Sequence, residues 1–344
     1  MTLATQPVLR LRDGYGRVAE DLRVSLTDRC NLRCSYCMPA EGLPWLPGAT
    51  ILTDLEVVRL VRVAVERLGV RTVRFTGGEP LLRPGLARII AAVRELVTID
   101  GEPPETALTT NGIGLDRVMD DLVAAGLQRV NVSLDSLDRE RYASLARRDR
   151  LPDVLRGLAA ATTSGLRPVK VNTVVMRHTN ECDVVPLAEF CLERGYELRF
   201  IEQMPIGPRH GWDRAAMVPA AEILDLLGRH YRLVPLPDRG AAPSEDWQVV
   251  DDAGEVRGRI GVIASVTRPF CSACDRTRLT ADGQVRTCLF SQTETDLRTP
   301  LRDGAGDAEL AGLWLGAHRA KGAGHGIDAP DFEPPQRTMS SIGG

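Results

Sequence analysis

The sequence predicts an α/β protein: an incomplete, TIM-like parallel (β/α)6 barrel followed by a smaller C-terminal part. Two observations carry that prediction. Before residue 204, six short runs rich in Val, Leu, Phe and Thr alternate with amphipathic helical stretches. This order predicts a parallel sheet with right-handed crossovers at the repeat length of a (β/α) barrel. From Pro219 the texture changes to one helix and then short strands around turn signals. Two further units would be needed to close an eightfold barrel, and none is visible. The expected division is therefore 1–218 for the partial barrel and 219–344 for the C-terminal part.

The strand-like runs are Leu22–Thr27, Thr72–Thr76, Thr106–Thr110, Arg129–Ser133, Val169–Val175 and Glu197–Gln203. The clearest helix is Asp54–Leu68, where Val57, Leu60, Val61, Ala64 and Leu68 recur at helical spacing. Thr53 and Glu56 form a capping box at its start, and Gly69 stops it. Another helix is expected from about Asp116 to Ala125, and a third from Asn180, as N-cap, to Gly195. In the C-terminal part, Arg259–Ser265 and Arg278–Thr280 read as short strands, Asp282-Gly283 as a turn, and Pro235–Asp246 as a surface loop.

Composition narrows the class. The chain has 344 residues and a net charge of −3, with 41 arginines but only two lysines, Lys170 and Lys321. A near-neutral balance excludes a basic nucleic-acid coat protein, and 43% apolar residues suffice for a large core. No apolar run approaches the roughly 18 residues that span a bilayer, and the first residues lack a signal-peptide pattern. A cytoplasmic protein with no membrane and no nucleic-acid partner is expected. In that reducing setting eight cysteines are not a disulfide framework. Cys182 and Cys191 read as helix residues facing the core.

Cys30, Cys34 and Cys37 form C-x3-C-x2-C directly after the first strand. Structural zinc takes four ligands, and no fourth Cys or His lies nearby. Three thiolates on a 4Fe–4S cluster would leave one iron open, a reactive arrangement. With Tyr36 before the last cysteine, the motif resembles that of the radical S-adenosylmethionine (SAM) superfamily. The stretch Leu22–Cys34, together with the second cysteine triplet, is similar to the GTP 3′,8-cyclases of molybdenum cofactor biosynthesis, from about Leu11 to Gly344.

The resemblance implies a barrel of the radical SAM type, with chemistry at the C-terminal strand ends as in other barrels. Those ends carry the first cysteines, Gly77-Gly78-Glu79-Pro80, Thr109-Thr110-Asn111-Gly112, Ser133-Leu134-Asp135 and Met204-Pro205. The paired glycines suit close approach of backbone to a ligand. By resemblance Tyr36, Gly78, Ser133 and Met204 contact SAM; a packing aromatic and core filler are the plain alternatives for Tyr36 and Met204. On strand five, Lys170 and Asn172 share one face, as do Asn131, Ser133 and Asp135 on strand four. A lysine buried there without a partner would need a bound anion. The resemblance assigns Lys170 to the GTP triphosphate, with Arg23, Arg74 and Thr109 as further nucleotide contacts. There is no G-x4-G-K-[ST] loop, so side chains must hold the phosphates.

The second triplet is Cys271, Cys274 and Cys288. Alone, it fits zinc with a remote ligand as well as a second cluster. The resemblance implies a second 4Fe–4S cluster whose open iron binds guanine, with Arg276 and Arg278 on the substrate and Asp275 where many relatives carry Asn. Gly343-Gly344 are a frayed end on the plain reading; by resemblance they reach into the active site. The implied reaction joins ribose C3′ to guanine C8. Its implied partners are GTP as substrate, a reducing electron donor, and the cyclic pyranopterin monophosphate synthase that takes the product. A homodimer is compatible with the family, and the sequence leaves it open.

Overall fold

A computed structural model describes residues 9–208, 212–237 and 239–343. Six strands follow the predicted order: β1 (Asp21–Ser25), β2 (Thr72–Thr76), β3 (Glu105–Thr110), β4 (Arg129–Ser133), β5 (Val169–Val175) and β6 (Glu197–Glu202). Neighbours in this series pair in parallel. The C-terminal strands are β7 (Arg232–Pro235), β8 (Glu245–Val250), β9 (Val256–Ile263), β10 (Arg276–Leu279), β11 (Gln284–Arg286) and β12 (Thr295–Asp296).

These later strands continue the same sheet. Its order is β12-β11-β10-β1-β2-β3-β4-β5-β6-β9-β8-β7. β10 joins β1 in parallel and β9 joins β6 in parallel, so eight strands run one way. β9 and β10 lie apart in that order, and the barrel stays open. The sequence hides these two strands as barrel members because no crossover helix of the repeating kind precedes them.

The helices are α1 (Asp54–Arg62), α2 (Leu86–Arg94), α3 (Leu115–Ala124), α4 (Arg139–Ala146), α5 (Leu151–Thr163), α6 (Val184–Glu193), α7 (Ala220–Gly228), α8 (Arg298–Arg302), α9 (Asp307–Arg319) and α10 (Met339–Ile342). The capping box forms: the Glu56 N–H donates to Thr53 Oγ1, and the Thr53 N–H donates to Glu56 Oε2. Beyond Arg62 the helix widens into a π-helical turn over Val63–Arg67. Outward-facing strand residues such as Val73, Phe75, Val130, Val132 and Phe200 are fully buried under the apolar faces of the helices. Each such side chain contributes roughly 1.5–3 kcal/mol.

Two local expectations need correcting. Asn180 stands at the N-cap position of a 3-10 turn, Glu181–Asp183, that leads into α6, but its side chain does not cap it. Its Nδ2 donates to the carbonyls of Asp135 and Val174, and its Oδ1 accepts from the Met176 N–H. It ties the ends of β4 and β5 together, and α6 begins only at Val184. Cys182 is exposed on the preceding turn, whereas Cys191 is buried as expected. Among the described residues no helix is long and apolar enough to cross a membrane.

Glu202, wholly buried at the end of β6, fastens the barrel to the C-terminal part. It accepts from the N–H groups of Ala220, Val266 and Thr267 and from the Thr267 hydroxyl. Glu202→Gln turns an NH2 toward these donors. The substitution should cost about 3 kcal/mol, read as a lower urea midpoint at unchanged slope.

Candidate functional site

Strand alternation builds the site. The inward parity of β1, β2, β4, β5, β6 and β10 presents Asp21 and Arg23, Arg74 and Thr76, Asn131 and Ser133, Asn172 and Val174, Arg199 and Ile201, and Arg276 and Arg278. They line one cavity of about 330 Å³. The loop after β1 adds the first thiol triplet to its wall, and the segments before β10 and after β11 add the second.

At the first triplet, Cys30 Sγ accepts from the Leu32 N–H at 3.4 Å, and the Asn111 amide lies 3.9 Å away. Burial raises the Cys30 and Cys34 thiols above their ordinary range and Cys37 to about 12; Glu79 adds to the rise at Cys30, Asp135 and the other two sulfurs at Cys34, and Cys30 at Cys37. The Tyr36 hydroxyl donates to Asp135 Oδ2 at 2.7 Å, and the Val174 N–H donates to Oδ1. Burial pushes Asp135 up to about 6.

The paired glycines also serve a backbone contact within the protein. A Cβ on Gly77 would stand 2.5 Å from the Thr27 carbonyl oxygen, and one on Gly78 2.3 Å from that of Arg29. Gly78 and Glu79 donate their N–H groups to those same carbonyls. The glycines thus seat the β2 loop against the backbone that leads into the cysteine loop. Gly78 also remains on the cavity wall. Glu79 accepts from the Thr110 hydroxyl and from the N–H groups of Leu81 and Asn111. Burial outweighs these bonds and raises its carboxyl to about 7.

The cavity floor is crowded with guanidinium groups. Burial, then the neighbouring cations, depress Arg23 and Arg74, and bring Arg199 and Arg278 to about 10. Asp21 offsets part of this charge, with Oδ2 3.7 Å from Arg74. The Nε atoms of Arg23, Arg74, Arg199 and Arg276 are buried without a hydrogen-bond partner. Buried donors facing one another in this way call for an anion.

Lys170 corrects an expectation. It lies at the start of β5 on the same parity as Asn172, but it has a partner: Glu197 Oε2 stands 2.6 Å from its Nζ. Register explains the pair, because Lys170 and Glu197 are opposed on β5 and β6. No bound anion is needed to account for its burial. Arg199, one step further up β6, reaches the cavity instead. Extending the parity reading from strands four and five to strand six would have found it.

At the second triplet, Cys271 is raised by burial. Cys274 is lowered: Lys321 and Arg276 together outweigh burial. Arg278 donates to the Gly343 carbonyl at 2.6 Å, and the Ser340 N–H hydrogen-bonds the Cys37 thiol. The C-terminal segment therefore touches both halves of the cavity wall. A Cβ on Gly343 would come within 2.9 Å of Thr76 and 3.0 Å of Ser25. Gly344 lies outside the described residues.

Tyr36, Thr109, Ser133 and Met204 also line the cavity. The Asp275 side chain is not part of its wall among the described residues; its carbonyl accepts from Glu20 and Asp21.

Two family models match the chain: Radical SAM superfamily over residues 24–191, and Molybdenum Cofactor Synthesis C over 196–327. A GTP 3′,8-cyclase of Corynebacterium glutamicum is 60% identical over 97% of this chain and 89% of its own length. The chain belongs to the GTP 3′,8-cyclase family. A second GTP 3′,8-cyclase, from Mycolicibacterium smegmatis, is 57% identical over 97% of this chain and 92% of its own length. Among solved structures, Streptococcus suis SuiB superposes with a TM-score of 0.60 at 14% identity, covering 91% of this chain and 68% of that one. At that identity SuiB shares the fold alone.

Because Glu79 binds its proton more tightly folded than its ordinary value of 4.5 allows, the folded chain retains a proton that the unfolded chain releases between about pH 4.5 and 7. Stability of the ligand-free protein should therefore fall as pH rises through that window, then level off. Between pH 5.5 and 7.5 the Glu79 share is about 2 kcal/mol. Urea melts of Glu79→Gln should show a correspondingly flatter profile.

Proposed function

We propose that this chain cyclises GTP to (8S)-3′,8-cyclo-7,8-dihydroguanosine 5′-triphosphate, the first step of molybdenum cofactor biosynthesis. The observation that carries the reading is the presence of two open thiol triplets on the wall of one cavity floored by arginines, four of whose buried Nε atoms lack a partner, in a chain 60% identical to a GTP 3′,8-cyclase.

The residues fit the implied groups. Each triplet offers three soft sulfur donors on the cavity wall, the donor class that Fe–S clusters take. Cys30, Cys34 and Cys37 would hold one 4Fe–4S cluster, and Cys271, Cys274 and Cys288 the other. When bound, the first cluster would supply the electron for reductive cleavage of SAM, and so the radical chemistry by which ribose C3′ is joined to guanine C8.

The protein's own work is positioning. Tyr36, Gly78, Ser133 and Met204 would seat SAM beside the first triplet. Arg23, Arg74, Thr109, Arg276 and Arg278 would hold GTP, joined by Arg199. Guanidinium forks match polyphosphate oxygens through charge-assisted, bidentate bonds. Lys170 would reach the triphosphate by exchanging or sharing its Glu197 partner. Gly343 and Gly344 would bring backbone groups beside Arg278. The parts carrying these roles divide at 218/219. The remaining partners are a reducing electron donor and the enzyme that converts the product to cyclic pyranopterin monophosphate. We place the protein in the cytoplasm and leave a homodimer to direct measurement.

Anaerobic reconstitution followed by incubation with SAM, dithionite and GTP tests the reading. The expected result is GTP-dependent 5′-deoxyadenosine with a cyclised nucleotide; SAM cleavage indifferent to GTP would sink it. Lys170→Ala should weaken GTP binding while uncoupled SAM cleavage persists. Arg199→Ala should weaken GTP binding by about tenfold in calorimetry, the loss of one charge-assisted bond.

A further inference from the structure

Behind the second thiol triplet lies a buried ammonium. Lys321 follows α9, its N–H donating to the His318 carbonyl. The residue is 6% exposed. Its Nζ stands 3.2 Å from the Arg276 carbonyl oxygen and 3.4 Å from both the carbonyl oxygen and Sγ of Cys274. Three N–H bonds thus meet three acceptors, two of them neutral carbonyls.

Among the described residues no carboxylate forms an ion pair with this ammonium, whereas Lys170 has Glu197. The nearby charge makes matters worse. Arg276 is a cation, and His318 is buried with Nε2 unpartnered, pushed down to about 3 by burial and then by Lys321. An ammonium withdrawn from water without a counter-charge is strongly unfavourable. Its one sulfur contact is Cys274, a residue of the second triplet.

The surroundings hold this contact in place. Arg17, paired with Asp13, donates to the carbonyls of Cys271, Gly322 and Ala323, pinning the segment after Lys321 onto the triplet. A Cβ on Gly324 would stand 3.6 Å from Cys271 Sγ, so the backbone packs directly against that sulfur. A compact ammonium with three donors suits such a pocket better than a planar guanidinium fork. That accounts for a lysine here in a chain that otherwise relies on arginine.

We propose that Lys321 is the counter-ion of the second iron–sulfur centre: a positioning residue that, through N–H···S donation to Cys274, raises the reduction potential of the cluster. This rests on reading the second triplet as a cluster site. Hydrogen bonds to cluster sulfurs and local net charge are established determinants of such potentials.

The test uses the anaerobically reconstituted full chain and its Lys321→Met, Lys321→Gln and Lys321→Arg variants. Iron release to a ferrous chelator and an EPR-monitored reductive titration are followed alongside SAM cleavage without GTP. Lys321→Met and Lys321→Gln should release the second cluster's iron about tenfold faster, the equivalent of one charge-assisted bond. They should also shift its midpoint to more negative potential. Lys321→Arg should recover part of both, and SAM cleavage should be unchanged throughout. Should the Met variant fail to fold, the Gln and Arg variants carry the comparison. Two clusters in every variant, with wild-type release and potential, overturn this proposal and leave the cluster reading intact. A wild-type chain that binds one cluster overturns both.

Discussion

The parallel pairing of β1 with β10 holds the site together. Asp21 and Arg23 on β1 stand opposite Arg276 and Arg278 on β10. The N–H groups of Glu20 and Asp21 reach the Asp275 carbonyl, one residue beyond Cys274. A strand of four residues thus brings two cysteines of the second triplet and two guanidinium groups beside β1, the strand that the other triplet follows. Both chemistries meet in one cavity because one short ladder joins the two ends of the chain.

That ladder also concentrates charge. Arg23, Arg74, Arg199, Arg276 and Arg278 face a common space with Asp21 as the carboxylate on its wall nearest them. Repulsion among buried cations disfavours the empty state, and a polyphosphate would relieve it. The two thiol groups differ in the same terms: burial dominates at the first, whereas Lys321 and Arg276 outweigh it at Cys274.

Much of this was legible in the sequence, for physical reasons that differ between elements. Strands β2, β4 and β5 match their predicted bounds because β-branched runs are set off by turns and helices. Inward parity on β4 and β5 followed from a period of two, which no packing detail disturbs. The strands β9 and β10 as barrel members were not legible, since sequence texture reports local structure and their partners lie far away in the chain. The partner of Lys170 was missed for a related reason: its face was readable, but the Glu197 opposite depends on register between strands. Asn180 looks like a helix cap locally, and tertiary hydrogen bonds to Asp135 and Val174 claimed it instead. Lys321 carried no periodic signal, sitting in a glycine-rich stretch after α9.

The placement of the two lysines has a chemical corollary. Lys170 keeps 19% of its side chain exposed and Lys321 is buried. Apart from the amino terminus, the chain offers no freely accessible primary amine. Its solvent-facing cations are guanidinium groups, which do not react as amines and stay charged at any physiological pH. Acylating reagents, and enzymes that modify lysine, therefore meet a surface with almost nothing to label. Any such adduct that does form would report on the start of β5 or on the sulfur site.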